Sequence, residues 1–402
     1  MVEEVLPDLT FEWCQDDGRT VRVRPAQSPD LGALRALYYE TYGDRYALPE
    51  VVDDERSKEV ISGHGWVWLL AESENRVVGS VIFGWDSEHR LGKSFAGVVD
   101  SKFRGQKTMH RMLIEGLDRL LYSGNVFDMV YAVVRTFVTP AFHRDLQEMG
   151  FLDVGVFPNV RKVRRYETHG LKVCLAPRAL ERRMTPPVLI PQIRALYEIA
   201  GERFGLEEPS IDHGAVKKVR SEMDLEVELA PVAEAGKNGV TKSRVQMLRR
   251  ASRGLKFGFF PFHEPNQILS DPTGQVRVFL SHQDTDGHSS ILGVDPGPYE
   301  PVSVLLSVAE YCAERGAVYL ELLVSAYEPE LQAAAYLAGF LPCAYFIGAE
   351  MKHKQRRDII VTSRTFVPLH FHGLRLTDST KPYLLEFFKV YTERLWEDLL
   401  QA

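Results

Sequence analysis

The same run of elements reads twice along this chain, and that repetition constrains the fold more than any single motif does. In each half a strand is followed by a helix, a second strand and a second helix. This last helix ends in a Gly-Phe pair that opens a further strand: Gly150-Phe151 in the first half, Gly339-Phe340 in the second. At 402 residues the chain exceeds the usual size of one hydrophobic core, so two domains are expected. The stretch 178–191 holds three prolines and the pair Arg182-Arg183, the composition of a connector. The expected division is a first domain over 1–178, a linker and helix over 179–205, and a second domain with a terminal helix over 206–402.

Residues 20–26 alternate apolar and basic side chains as a half-buried strand does, and Ser28-Pro29-Asp30 supplies capping chemistry for a helix over 31–42. A short helix over 53–61 and a hairpin of strands 66–71 and 77–85 follow. The strand 95–100 then runs without a break through the basic turn SKFRGQ, Ser101 to Gln106, into a helix over 107–121. The apolar residues Met109, Met112, Leu113, Leu117 and Leu120 of that helix recur near a period of 3.6. A strand over 128–134, a helix over 140–150 and strands over 151–156 and 171–175 complete the first half. The second half reads as a helix at 189–204, strands at 225–230, 275–281 and 290–294, and a basic helix at 241–253. A helix at 300–315, a strand at 318–324 and a helix at 329–338 follow. The amphipathic helix 382–400 is expected to pack on the second domain, with a homodimer contact as its other use.

Composition excludes several classes. The four cysteines, Cys14, Cys174, Cys312 and Cys343, lie far apart with no CxxC pair, so neither a zinc cluster nor a disulfide framework is indicated. The start of the chain is acidic and lacks a secretory signal, and no apolar run reaches eighteen residues; a cytoplasmic protein with no membrane partner is expected. The net charge of -7 gives no general pull toward nucleic acid, which leaves local basic patches at 161–165, 242–256 and 352–357. His353, His370 and His372 have no carboxylate or cysteine at ligand spacing, and Asp284 to Gly287 reads as a hairpin turn, so no metal is expected.

The segment GVVDSKFRGQKTMHRML, Gly97 to Leu113, resembles the donor motif of the GNAT (N-acetyltransferase-like) acyltransferase superfamily, and PAFHRDLQEMGF, Pro140 to Phe151, resembles its helix ending in Gly-Phe. The likeness covers 20–177 and, more weakly, 225–368. It implies an α/β (α+β) fold of two GNAT-like domains in tandem, the second degenerate, each a mixed, mostly antiparallel sheet flanked by helices. It also implies an N-acyltransferase that moves an acetyl-like group from acetyl-CoA or another acyl-CoA to an amine of a small molecule, by direct attack. Val98 and Val99 would pair with pantetheine as an added strand, and the turn Arg104, Gly105, Gln106, Lys107, Thr108 and Met109 would hold the diphosphate on backbone N–H groups at a helix N-terminus.

Members usually carry Arg or Gln, two residues, Gly, one residue, then Gly or Ala in this turn; here Arg104, Lys107 and Met109 stand there, so both small positions are lost. Either Lys107 and Arg104 replace backbone contacts with charge, or the pocket is partly blocked and the donor is a carrier protein or an aminoacyl-tRNA, as in the Fem-type transferases. A non-catalytic binding protein is the third reading. The tyrosine that commonly protonates the leaving thiolate is replaced by Leu146 in the first half and Ala335 in the second. His143 is the candidate base, and Asp100 either contacts the acceptor amine or caps the turn. DPGPYEP, Asp295 to Pro301, removes N–H donors from the corresponding turn of the second half, which is not expected to bind a donor. Lys242, Arg244, Arg249, Arg250 and Arg253 offer a basic helix surface for tRNA, a carrier protein or the 3′-phosphate of coenzyme A.

Overall fold

The computed structural model describes residues 6–401 apart from 44, 45, 47, 137, 139, 163, 164, 224, 225 and 238. Parts of the acidic start and of the basic patch 161–165, and the expected beginning of the strand at 225, lie outside the described residues. The chain forms two compact units. The first comprises Met1–Val133, Ala141–Phe151 and Val173–Glu181, and the second Val134–Pro140, Leu152–Lys172 and Arg182–Ala402.

The first unit begins with a hairpin of β1 (Phe11–Cys14) and β2 (Thr20–Pro25), followed by α1 (Leu31–Tyr42), α2 (Pro49–Val52) and α3 (Asp54–Ile61). Strands β3 (Trp66–Ser73), β4 (Arg76–Asp86) and β5 (Leu91–Val99) extend the hairpin as an antiparallel meander. α4 (Thr108–Leu117) then crosses over to β6 (Met129–Arg135), which pairs with β5 in parallel. Trp68, Leu70 and Ile82 on the sheet and Leu34, Leu37 and Tyr38 on α1 form one core. On the other face α4 lies so close to the sheet that a Cβ on Gly79 would stand 3.0 Å from Met112 Sδ and 3.2 Å from Ala71 Cβ.

After α5 (Pro140–Glu148) come β7 (Leu152–Lys162), β8 (Tyr166–Leu175) and α6 (Pro177–Glu181). β8 lies beside β6: Ala176 N donates to Asp128 O in the first unit, and Thr136 N to Thr168 O in the second. The second unit continues with β9 (Val188–Leu189), α7 (Pro191–Phe204), β10 (Ser210–Ile211), α8 (Ala215–Ser221), β11 (Ala230–Glu234), α9 (Lys242–Ala251), β12 (Gln267–Ser270), β13 (Arg277–Gln283) and β14 (His288–Asp295). α10 (Pro301–Glu314), β15 (Tyr319–Ser325), α11 (Pro329–Leu337), β16 (Leu341–Lys352), β17 (Gln355–Thr365) and α12 (Lys381–Gln401) complete it. β11 to β14 are antiparallel, β14 and β15 are parallel, and the order then runs β15, β17, β16, β7. Each unit therefore carries a mixed sheet, with the parallel pair β5 and β6 in the first and β14 and β15 in the second. The expected strand at 225–230 is displaced to Ala230–Glu234, and β12 was not anticipated, because its four residues carry too little pattern to show a period.

The boundary expected at 178 differs from the compact units, since Leu152–Lys172 belongs with the second. The reason lies in β7. Gly155 meets Ala344 of β16 so closely that a Cβ on it would stand 2.0 Å from Ala344 Cβ. Two residues earlier, Asp153 accepts a hydrogen bond from Lys172 Nζ at 2.6 Å, with both side chains fully buried, and another from Ser379 Oγ at 2.5 Å. Its carbonyl accepts from Tyr383 OH on α12 at 2.8 Å.

Removing one partner of such a pair leaves a buried charge alone, so Lys172→Met is expected to destabilise the second unit by about 3–5 kcal/mol. Urea denaturation followed by the fluorescence of the unit checks this; a loss below about 1 kcal/mol would show that Asp153 is adequately held without the lysine.

Candidate donor site

The parallel ladder of β5 and β6 runs from Leu91 to Lys93 and then stops, so beyond Lys93 the two strands diverge and leave one edge of β5 open. The divergence coincides with a bulge: between the pairs Ile82–Phe95 and Ser80–Val98, β5 carries one residue more than β4, and Ala96 takes φ +55°. Tyr38 fixes it by donating to Ala96 O at 2.5 Å while contacting Ser80 Oγ at 2.9 Å. Ser80 Oγ also accepts from Trp68 Nε1 at 2.6 Å. Buried aromatic side chains of α1 and β3 thus hold open the strand edge that the sequence motif needs.

At the end of β5, Asp100 accepts from Lys102 N at 2.8 Å and pairs with Arg76 Nη2 at 3.4 Å, so its carboxylate caps the turn. The turn takes left-handed backbone at two positions. Gly105 has φ +77°, and Lys107, at the position where family members carry glycine, sits at φ 58°, ψ 19° as the N-cap of α4. Arg111 N makes the first helical bond, to Lys107 O at 2.9 Å, which leaves the N–H groups of Thr108, Met109 and His110 at the helix start pointing out of the turn. A left-handed residue followed by a helix N-terminus is an anion-binding arrangement.

The side chains modify it. Arg104 Nε donates to Val99 O at 3.1 Å, taking one carbonyl that was expected to meet pantetheine. Met109 folds over β5, its Cε 3.3 Å from where a Cβ of Gly97 would be. Val98 is buried in register with Ser80. Thr108 is buried, donates to Phe103 O at 3.3 Å and accepts from Gln15 Nε2 at 3.3 Å. Gln106 accepts from Arg19 Nη2 at 3.4 Å, and the Arg19 guanidinium stacks on Phe103 at 4.1 Å. The β1–β2 turn therefore forms the opposite wall of an open cleft of about 410 Å³, in which Asp16 and Asp17 face Gly105, Lys107 and Arg111. That wall carried no motif in the sequence; the alternation of residues 11–14 was its only signal.

An antiparallel meander, a bulged and open β5, a crossover helix opened by a left-handed turn, and a last strand returning beside β6 are one arrangement. This arrangement resembles the GNAT fold implied by the sequence motif. Solved structures to which part of the chain is similar include the ribosomal-protein-S5-alanine acetyltransferase from Vibrio fischeri. It is 16% identical, with 42% of this chain and 98% of that one covered and a TM-score of 0.36. RimJ of Mycobacterium smegmatis in complex with CoA-disulfide is 18% identical over 42% of this chain and 88% of that one, with a TM-score of 0.35. Ribosomal-protein-alanine N-acetyltransferase from Brucella melitensis is 21% identical over 38% of this chain and 98% of that one, with a TM-score of 0.33. No protein-family profile matches the chain, and no curated protein matches it by sequence.

Among the other expected site residues, His143 is buried on α5, and Leu146, where the tyrosine is absent, lies in the core. In the second half the corresponding strand edge is covered by the chain itself. Arg249 of α9 donates to Leu292 O at 2.7 Å and to Gly258 O at 2.6 Å, and Lys256 bridges Val294. Val188 N donates to Ala326 O at 2.9 Å and Tyr327 OH to Met184 O at 2.5 Å, so the linker seals the end of β15. Arg249 thus turns inward, while Lys242, Arg244, Arg250 and Arg253 remain exposed.

The sequence reading missed a buried polar cluster in the second unit. Arg135 donates twice to Glu167, at 2.8 Å each, and His169 Nε2 stands 3.6 Å from the same carboxylate. Burial alone would raise the Glu167 carboxyl; His169 and, at hydrogen-bond length, Arg135 overcome that and hold it at about 2. Burial pushes the His169 imidazole down against the pull of Glu167, and pushes His288 far lower, with Arg161 and His263 close by. Their strand spacing resembled any other polar face, which is why no motif marked them.

Two outcomes follow for the domain and the cluster. Lys107→Gly is expected to stabilise the protein by about 1 kcal/mol, because the left-handed conformation that strains lysine costs glycine nothing, whereas Lys107→Val is expected to destabilise it; thermal unfolding of both variants checks the sign. Both histidines are held below the unfolded value of about 6.5, so the unfolded chain binds protons that the folded unit does not, and stability falls as pH drops through that value. Glu167, held down, contributes stability above about pH 4.5 that is lost as pH falls toward about 2. Urea midpoints from pH 8 to 5 should lose part of their slope in His169→Gln and His288→Gln.

Proposed function

We propose that the chain is a GNAT-type N-acyltransferase that takes its acyl group from acyl-coenzyme A at the turn from Arg104 to Met109 and passes it to the amine of a small molecule. The observation that carries this reading is the left-handed N-cap at Lys107 beside the open edge of β5, a conformation that costs about 1–2 kcal/mol for lysine. The free N–H groups of the helix start and the helix dipole would hold the diphosphate, and the Lys107 ammonium would add a charge that glycine lacks. Attack by a neutral amine on the thioester needs a base and no covalent enzyme intermediate; His143, buried on α5, is the candidate. The second half, with its strand edge covered, supports the fold and binds no donor of its own.

A donor presented on a carrier protein or a tRNA is the second reading, favoured by the Arg104 contact to Val99 O and by Met109 lying over Gly97, both of which narrow the pantetheine groove. The exposed Lys242, Arg244, Arg250 and Arg253 would then meet phosphate or acidic side chains.

Calorimetric titration with coenzyme A and acetyl-CoA tests the first reading. Wild-type binding is expected, weakened at least about tenfold, or ~1.4 kcal/mol, in Lys107→Glu. Wild-type protein that gives no heat with either ligand would remove free coenzyme A as the donor. Aminoacyl-tRNA binding would then be measured against salt, where several phosphate contacts make affinity fall by orders of magnitude.

A further inference from the structure

His110 is the third residue of α4, and Asp145 and Glu148 stand three apart on α5, a spacing that puts both carboxylates on one face of that helix. One ligand atom from each of the three lies within 4.8 Å of the others, and no other such group of three occurs among the described residues. His110 Nδ1 is buried from solvent and has no hydrogen-bond partner. Its nearest carboxylate oxygen, Asp145 Oδ1, is 3.8 Å away.

That separation is too long for a hydrogen bond, which needs about 2.7–3.2 Å. Two ligands each about 2.1 Å from one ion, however, stand roughly 3.4–3.8 Å apart at angles from tetrahedral to somewhat wider. A neutral imidazole and two carboxylates also match the charge of one divalent ion.

We propose that His110, Asp145 and Glu148 form a divalent-metal site between α4 and α5. The imidazole ligand selects a borderline transition ion, of which Zn²⁺ is the first choice and Mn²⁺ the second, over Mg²⁺ or Ca²⁺, which prefer oxygen alone. Glu148 is exposed, so water completes the coordination. The ion would tie α4 to α5 one residue beyond Met109 and fix the start of the helix that carries the donor turn. The site stands on its own geometry and does not depend on the acyl-coenzyme A reading.

The test is calorimetric titration of the metal-stripped full chain with Zn²⁺, and with Mg²⁺ as the control, at pH 7.5. One saturable Zn²⁺ site is expected, with no comparable Mg²⁺ response and at least about tenfold weaker binding in both His110→Ala and Glu148→Gln, each with wild-type circular dichroism. Because the ligand imidazole must be unprotonated, Zn²⁺ affinity should also fall at least about tenfold between pH 7.5 and 5.5. If either variant fails to fold, Asp145→Asn, which keeps the side-chain shape, takes its place. Absence of saturable Zn²⁺ binding up to about 100 μM, or binding that is unchanged in the variants, overturns the proposal.

Discussion

Two residues of β7, Asp153 and Gly155, tie that strand to β8, β16 and α12 of the second unit. Gly155 has no side chain because the backbone of β16 occupies the place where one would be. Asp153 is a buried carboxylate that Lys172, Ser379 and the neighbouring Tyr383 contact converge upon. A buried charge is tolerated only when it is paired and hydrogen-bonded, so each contact depends on the others: β8 must bring Lys172, and the turn before α12 must bring Ser379. Such an arrangement is weak as a source of net stability and strong as a specification of register. It also explains why a hairpin that follows the first half in sequence counts with the second half in packing.

The turn between β5 and α4 takes left-handed backbone without relying on glycine alone. Lys107 adopts it at the N-cap of α4, and Tyr38, Ser80 and Trp68 hold the neighbouring bulge at Ala96 in another left-handed conformation. Strained residues persist where the surroundings over-determine them, and here the determinants are buried hydroxyl and indole contacts on the far side of β5. Arg104 against Val99 O and Met109 over Gly97 line the strand edge beside the start of α4.

In the second half the same architecture is used differently. Arg249, Lys256, Met184 and Val188 satisfy the strand edges that the first half leaves open, so carbonyls that could meet a ligand meet the chain instead. The proline-rich turn before α10 was legible in the sequence as a site without N–H donors. The covering of the strand edge was not, because it depends on a segment some forty residues away folding back.

Local pattern was enough for much of the fold. The helix at Leu31–Tyr42 followed from Ser28-Pro29-Asp30 and the period of its leucines, and the hairpin of β3 and β4 from alternation about Glu74-Asn75. The repeated order of elements anticipated a mixed sheet in each unit, and the basic turn after β5 anticipated where the chain passes into α4. Contacts between distant residues decided the rest. Asp100 became a cap because Lys102 and Arg76 reach it first, Arg249 turned inward toward Leu292 O, and Arg135, Glu167 and His169 met through strand pairing that no spacing encodes. Periodicity is a property of neighbours along the chain, and a sequence displays it directly; which polar groups are buried together is a property of the packed sheet, and only the tertiary structure fixes it.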